Sequence, residues 1–206
     1  MTATSSFFLG LAAAFAVANW WAVWQRRKPL EYVAKPATLV ALTIVAVTLV
    51  AEDDTRRRWF VVALVLSLAG DVLLMLPREK LFVAGLGSFL LGHIAYIAGF
   101  GVADVWPWIA GVALVSAVIG TPVVRKVERT LLAPVVAYMV VISVMLAAAI
   151  GSSDQVAAAG AVAFYASDSL IAYNRFVFAE PKRSVAVAIM VLYHLGQTGL
   201  VLSLLA

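Results

Sequence analysis

The chain has 206 residues, of which 64% are hydrophobic and only 13% charged, with a mean hydropathy of +1.02. A water-soluble domain of this size carries roughly a quarter of its residues as Asp, Glu, Lys or Arg, so the composition excludes a soluble fold and describes a chain whose solvent is mostly lipid. The formal net charge of +4 does not point to nucleic acid, because the basic residues fall in short clusters between apolar runs. The absence of cysteine excludes disulfides, thiol nucleophiles and thiolate metal sites.

Eight apolar runs of spanning length follow one another. The first, Ser5–Trp24, contains Ala16-Val17-Ala18, which resembles a signal cleavage site. No basic residue precedes it, however, and Arg26, Arg27 and Lys28 follow it, which is the order of a retained first span. The second, Tyr32–Ala51, carries Pro36 in its expected first turn, where a missing N–H costs little. Trp59–Leu76 and Leu81–Gly101 come next. Val105–Gly120 is the shortest and is bracketed by Pro107 and Pro122, which suggests little tilt or a partly interfacial course. Leu131–Ile150, with Pro134 expected in its first turn, Val156–Phe178 and Ser184–Leu205 complete the set. The expected fold is all-α, one domain over residues 1–206, a polytopic bundle of eight transmembrane helices in which short linkers make sequential helices antiparallel neighbours.

Lys and Arg are divided unevenly between the two ends of these spans. Twelve of the fifteen, Arg26, Arg27, Lys28, Lys35, Arg78, Lys80, Arg125, Lys126, Arg129, Arg175, Lys182 and Arg183, follow odd-numbered spans. Only Arg56, Arg57 and Arg58 occupy the other side, beside Glu52, Asp53 and Asp54. The positive-inside rule makes the twelve-residue side cytoplasmic and puts both termini on the non-cytoplasmic side. An integral protein of a bacterial inner membrane is expected.

Of eleven acidic residues, only Asp71 and Asp168 lie inside long apolar runs. A carboxylate at a helix centre costs about 2.5–3.5 kcal/mol on insertion scales, so each needs a partner, a wet cavity or a proton. At ~1.5 Å per residue, Asp71 lies roughly 8 Å and Asp168 roughly 10 Å from the cytoplasmic end of its span. His93 and His194 come near the midplane, and Asn19 and Lys35 nearer the same side. Helical spacing groups Phe89, Gly92, His93 and Tyr96 on one face, Tyr165, Asp168, Ser169 and Ala172 on another, and Tyr193, His194 and Gln197 on a third. Gly85, Ser88 and Gly92 are small enough to let a neighbouring helix approach closely. The bland reading makes His93 and His194 interhelical glue, pairs Asp168 with Arg175 and lets Lys35 snorkel to the interface.

Two acids from different helices in a low-dielectric site can divide an acid and a base role between them. That pair suits acid-labile ethers, acetals and glycosides, whose protonation gives an oxocarbenium-like species that water captures. A zinc hydrolase would need both histidines and an aspartate without HExxH spacing. Leu68-Ala69-Gly70-Asp71 lacks the first glycine of an intramembrane aspartyl protease, and Ser167 and Ser169 have no nucleophile elbow around them. A transporter or binding protein for a lipid or small cation stays open, although no span shows the paired Gly/Pro interruption of repeat-related broken helices.

Four motifs in order carry a family resemblance. They are Gly70-Asp71, the run from Phe82 through Gly92-His93 to Tyr96, Ser167-Asp168-Ser169 with Ala172 and Arg175-Phe176, and Tyr193-His194-Leu195-Gly196-Gln197; Lys35-Pro36 also fits. The chain resembles the YhhN-like lysoplasmalogenases over essentially its whole length. The resemblance implies an eight-helix membrane hydrolase that cleaves the sn-1 vinyl ether of lysoplasmalogens to a fatty aldehyde and a glycerophospho-base, with Asp71 and Asp168 as the catalytic pair. Supporting roles are expected for His93, Tyr96, His194, Gln197, Ser169 and Tyr193, and headgroup contacts for Lys35, Arg175 and Asn19. No cofactor and no metal is expected; the partners are a lysophospholipid substrate and membrane lipid, and not nucleic acid.

Overall fold

The computed structural model describes residues 1–76 and 79–205, with side chains for all of these except Glu79 and Lys80. Arg78 and the Lys80 side chain, two of the cations assigned to the cytoplasmic side, therefore lie outside the described residues. Among the described residues eight α-helices run in order: α1 (Ala3–Gln25), α2 (Lys28–Thr48), α3 (Asp54–Met75), α4 (Glu79–Phe100), α5 (Trp106–Lys126), α6 (Arg129–Gly151), α7 (Gln155–Ala172) and α8 (Arg183–Leu202). A π-helical turn, Tyr173–Val177, extends α7, and a 3-10 turn, Ser203–Leu205, ends α8. All eight are long and apolar enough to cross a membrane, so the protein is an integral, multi-pass membrane protein.

The helix starts follow from short polar side chains. Thr2 caps α1 in a reciprocal box with Ser5, Asp53 accepts from the amides of Thr55 and Arg56, and Asp154 from those of Val156 and Ala157. Each satisfies backbone donors that a lipid-facing end would leave orphaned. Three sequence expectations need correction. Pro36 and Pro134 sit inside α2 and α6 rather than in their first turns, because the helices begin earlier, at Lys28 next to Pro29 and at Arg129. The fifth span is not short: Pro107 opens it, and Pro122 is carried in its interior. Finally, beyond its predecessor α3, α4 packs against α6 and not its successor, so α5 lies outside the ring formed by the other seven helices, against α6 and the π-helical turn.

Close packing comes from small residues, as lipid supplies no hydrophobic drive between helices. A methyl group on Gly160 of α7 would meet the Leu200 amide nitrogen at 2.8 Å, and one on Gly196 of α8 would meet the Phe164 nitrogen at 2.8 Å, so the two backbones touch. The small stripe on α4 serves its contact with α3: Ser88 donates to the Leu66 carbonyl at 2.6 Å, and Gly92 faces the Ala63 carbonyl. At the end bearing the termini, Arg56 ties three elements together by meeting Asp154 at 3.1 Å and Ser203 at 3.0 Å and covering the Phe60 and Phe100 rings.

Candidate active site

Within the half of the bundle nearer the basic ends, helices α2 to α8 enclose a cavity of about 100 Å³. Its walls are mostly apolar, among them Leu86, Phe89, Ile142 and Met190, and α5 closes one side with Ile119, Gly120 and Val123. Into this lining project two carboxylates, Asp71 from α3 and Asp168 from α7. The space is ample for several waters, and its polar rim supplies the partners an ordered water needs.

The carboxylates are held differently. Asp71 is fully buried; one oxygen meets the Lys35 ammonium at 2.7 Å and the other accepts from the Tyr193 hydroxyl at 2.7 Å. Lys35 reaches it from about 10 Å inside α2, since it follows Lys28 by seven residues. This corrects the reading of Lys35 as a lysine that snorkels to the interface: its side chain is 10% exposed and makes a buried ion pair. Asp168 accepts a short hydrogen bond from the Tyr138 hydroxyl of α6, and Tyr138 also meets His93 Nε2 at 2.9 Å. The same His93 nitrogen lies 3.5 Å from Asp168. An ammonium and a phenol therefore hold Asp71, whereas a phenol and an imidazole hold Asp168.

Aromatic rings fix these groups from behind. Phe164 stands edge-on to both His93 and Tyr193, at 4.9 and 5.4 Å between centroids, and Phe89 packs against Phe164 and Tyr193. Gly70 exists to admit Phe89: a methyl group there would come within 2.5 Å of its ring. Gly70-Asp71 is thus a packing residue followed by a functional one.

The remaining expected residues divide. Ser169 and Arg175 line the cavity; the Ser169 hydroxyl bonds back to the Tyr165 carbonyl, and the Arg175 guanidinium lies 3.8 Å over the Phe82 ring and makes no ion pair with Asp168. His194, Tyr96, Gln197 and Asn19 do not line it. His194 Nδ1 accepts from the Trp20 indole at 3.0 Å, and Tyr96 donates to Gln197 at 2.6 Å. The direct partners of the carboxylates are Lys35, Tyr193, Tyr138 and His93 instead, for a geometric reason. His194 follows Tyr193 by one residue, a rotation of ~100° toward α1, and Gln197 lies a turn deeper. Asn19 is buried on α1, without a side-chain partner among the described residues. Tyr138 went unrecognised; its only sequence signal is a phenol within an otherwise apolar run, a turn beyond Pro134. Among the described residues, no three His, Asp or Glu side chains gather as metal ligands, the two histidines belonging to separate clusters.

Residues 30–204 match the YhhN family, a span that covers both carboxylates and every helix after the first. The chain belongs to the YhhN family. Proteins named lysoplasmalogenase in Mycobacterium bovis and Mycobacterium tuberculosis are each 34% identical to it over 162 residues, covering 72% of this chain and 61% of the relative. The human lysoplasmalogenase TMEM86B is 31% identical over 147 residues, 69% of this chain and 62% of that protein. The chain thus spans about three fifths of the length of the curated relatives it matches. No solved structure matches it.

Proposed function

We propose that the protein is a lysoplasmalogenase, a membrane hydrolase that cleaves the sn-1 vinyl ether of a lysophospholipid into a fatty aldehyde and a glycerophospho-base. The observation that carries this reading is the pair of carboxylates, delivered by separate helices into one mostly apolar cavity. The relatives' names and the family membership support the choice of substrate.

In this reading the alkenyl chain lies among the apolar walls with its ether between the two acids. Asp168, with Tyr138 and His93 behind it to replenish the proton, protonates the vinyl carbon remote from oxygen. The carbon joined to oxygen becomes an oxocarbenium centre. Asp71, the carboxylate member of the pair with Lys35, stabilises that charge and accepts a proton from the attacking water. Water adds to the oxocarbenium carbon to give a hemiacetal; its carbon–oxygen bond to glycerol then breaks as the glycerol oxygen takes the proton from Asp71 and the hemiacetal hydroxyl returns one to Asp168, releasing aldehyde and glycerophospho-base and restoring both acids. Every atom comes from substrate and water.

The membrane is proposed to be a bacterial inner membrane, with the basic ends of the helices cytoplasmic and both termini on the opposite side. The deciding experiment uses purified protein in detergent with a vinyl-ether lysophospholipid and follows the aldehyde. Asp71→Asn and Asp168→Asn should each abolish release, while both variants insert and purify as the wild type does. Full activity in either variant removes that residue from the mechanism.

A further inference from the structure

A second chamber, of about 600 Å³, lies between the cavity and the basic helix ends. The two share Lys35, Leu74, Phe82, Ile171, Arg175 and Met190, so they adjoin one another. Their chemistry differs sharply. The inner one is walled by hydrocarbon around two acids, whereas the outer one is rimmed by Arg26, Lys28, Arg175, Lys182 and Arg183. Of those five cations, only Lys28 is paired with a carboxylate among the described residues, with Glu31 at 2.9 Å. Arg175 and Arg183 rest on the rings of Phe82 and Trp24, which orient their guanidinium groups without neutralising them.

Two acceptors stand inside this cationic rim. Among the described residues Glu31 is the one carboxylate lining it, and its bond to Lys28 is a solvent-exposed pair of the easily exchanged kind. Asn174 lies in the π-helical turn next to Arg175, lines the same chamber and keeps its amide oxygen buried without a donor among the described residues. A buried carbonyl oxygen without a donor is costly and calls for an N–H. Unpaired cations with two acceptors set among them describe the complement of a zwitterion: a phosphate joined to a primary ammonium.

We propose that the outer chamber is the headgroup site. Arg175, Lys182 and Arg183 take the phosphate, and Glu31 and the Asn174 amide oxygen receive a primary ammonium, so that a phosphoethanolamine-type headgroup is selected. This rests on the hydrolase reading for its substrate class and adds the determinants of headgroup choice. Lys35 borders both chambers, so a phosphate held at their junction leaves the sn-1 oxygen one glycerol away from Asp71. The Asn174 oxygen also sets the direction of discrimination, since a trimethylated ammonium has no N–H to offer it.

Binding of saturated alkyl-ether analogues, which have no vinyl group to hydrolyse, tests this apart from catalysis. The probes are 1-O-hexadecyl lysophosphatidylethanolamine, its choline counterpart, and 1-O-hexadecylglycerol, titrated into purified full-length protein in detergent. Wild type should bind the ethanolamine lipid about tenfold more tightly than the alkylglycerol. Lys182→Ser with Arg183→Ser, both on the exposed start of α8, should erase most of that ratio. Glu31→Gln and Asn174→Leu should each shrink the preference for ethanolamine over choline while leaving the alkylglycerol affinity unchanged. Equal binding of alkylglycerol and phospholipid by the wild type, or a double variant with its ratio intact, overturns the phosphate assignment; an unaltered ethanolamine-to-choline ratio in both acceptor variants overturns the ammonium assignment. Absence of aldehyde from a vinyl-ether substrate, with the binding ratios as expected, would instead sink the hydrolase reading and leave the headgroup site standing.

Discussion

Lys35 and Tyr138 distinguish two carboxylates that sequence alone leaves equivalent. Removing the ammonium in Lys35→Met strands Asp71 as an unpaired buried acid, which costs about 3–5 kcal/mol when a buried pair is broken from one side. The variant is expected to lose aldehyde release and to melt at a lower temperature, both measured on purified protein. Tyr138→Phe keeps the ring in place and deletes only the hydroxyl shared by Asp168 and His93. A hydrogen bond between neutral groups contributes about 0.5–1.5 kcal/mol, so kcat should fall by about twofold to tenfold with KM little changed. An unaltered kcat would take Tyr138 out of the proton path. The acids themselves were legible in the sequence because a carboxylate in an apolar run has no inexpensive explanation. Their partners were not. A phenol is at home in hydrocarbon and gives no warning, and the register that turns Tyr193 inward and His194 toward Trp20 depends on how α8 is rotated against α1 and α7.

At the scale of elements, the existence of eight spans is written in hydropathy and their ends are not. Pro36 suggested a helix start, but Pro29 next to Lys28 provides one two turns earlier, and it is that extra length that carries Lys35 deep enough to meet Asp71. The π-helical turn after α7 has no sequence signature, yet it offers Asn174 and Arg175 to the chamber above the cavity. The glycines could be read as packing residues, although which helices they join emerges only from the fold: α4 with α3, and α7 with α8. Because Asp168 rides on α7 and Tyr193 on α8, the backbone contact at Gly160 and Gly196 sets the site's geometry from outside it. In Gly160→Ala the new methyl would meet the Leu200 nitrogen and the Gly196 carbonyl at 2.8 and 3.0 Å, atoms that cannot swing aside. Overpacking of this kind costs about 1–3 kcal/mol. The variant should melt lower in detergent and lose activity, whereas the same change at Gly87, whose added methyl has nothing within 4 Å, should do neither.

For the whole molecule, the decisive property is the polarity of its two ends. Arg26, Arg27, Lys28, Arg125, Lys126, Arg129, Lys182 and Arg183 gather at one end, at the loops α1–α2, α5–α6 and α7–α8. At the other end, Arg56 and Arg57 are neutralised by Asp154 and Asp54 at 3.1 and 2.9 Å. The basic end is also where the outer chamber opens, so orientation in the membrane decides from which leaflet a lysolipid can present its headgroup. The count of Lys and Arg in short loops governs insertion, and the orientation proposed from it has the chamber open to the cytoplasmic side. Because the chain has no cysteine, single introduced thiols can be labelled without background. Glu52, exposed in the α2–α3 loop, and Glu128, exposed between α5 and α6, report on opposite ends. In intact cells an impermeant maleimide should label Glu52→Cys, and should reach Glu128→Cys only after permeabilisation. The reverse pattern would invert the topology and move the headgroup site to the outer leaflet, and a lysolipid supplied from outside would then be hydrolysed by intact cells without prior inward transport.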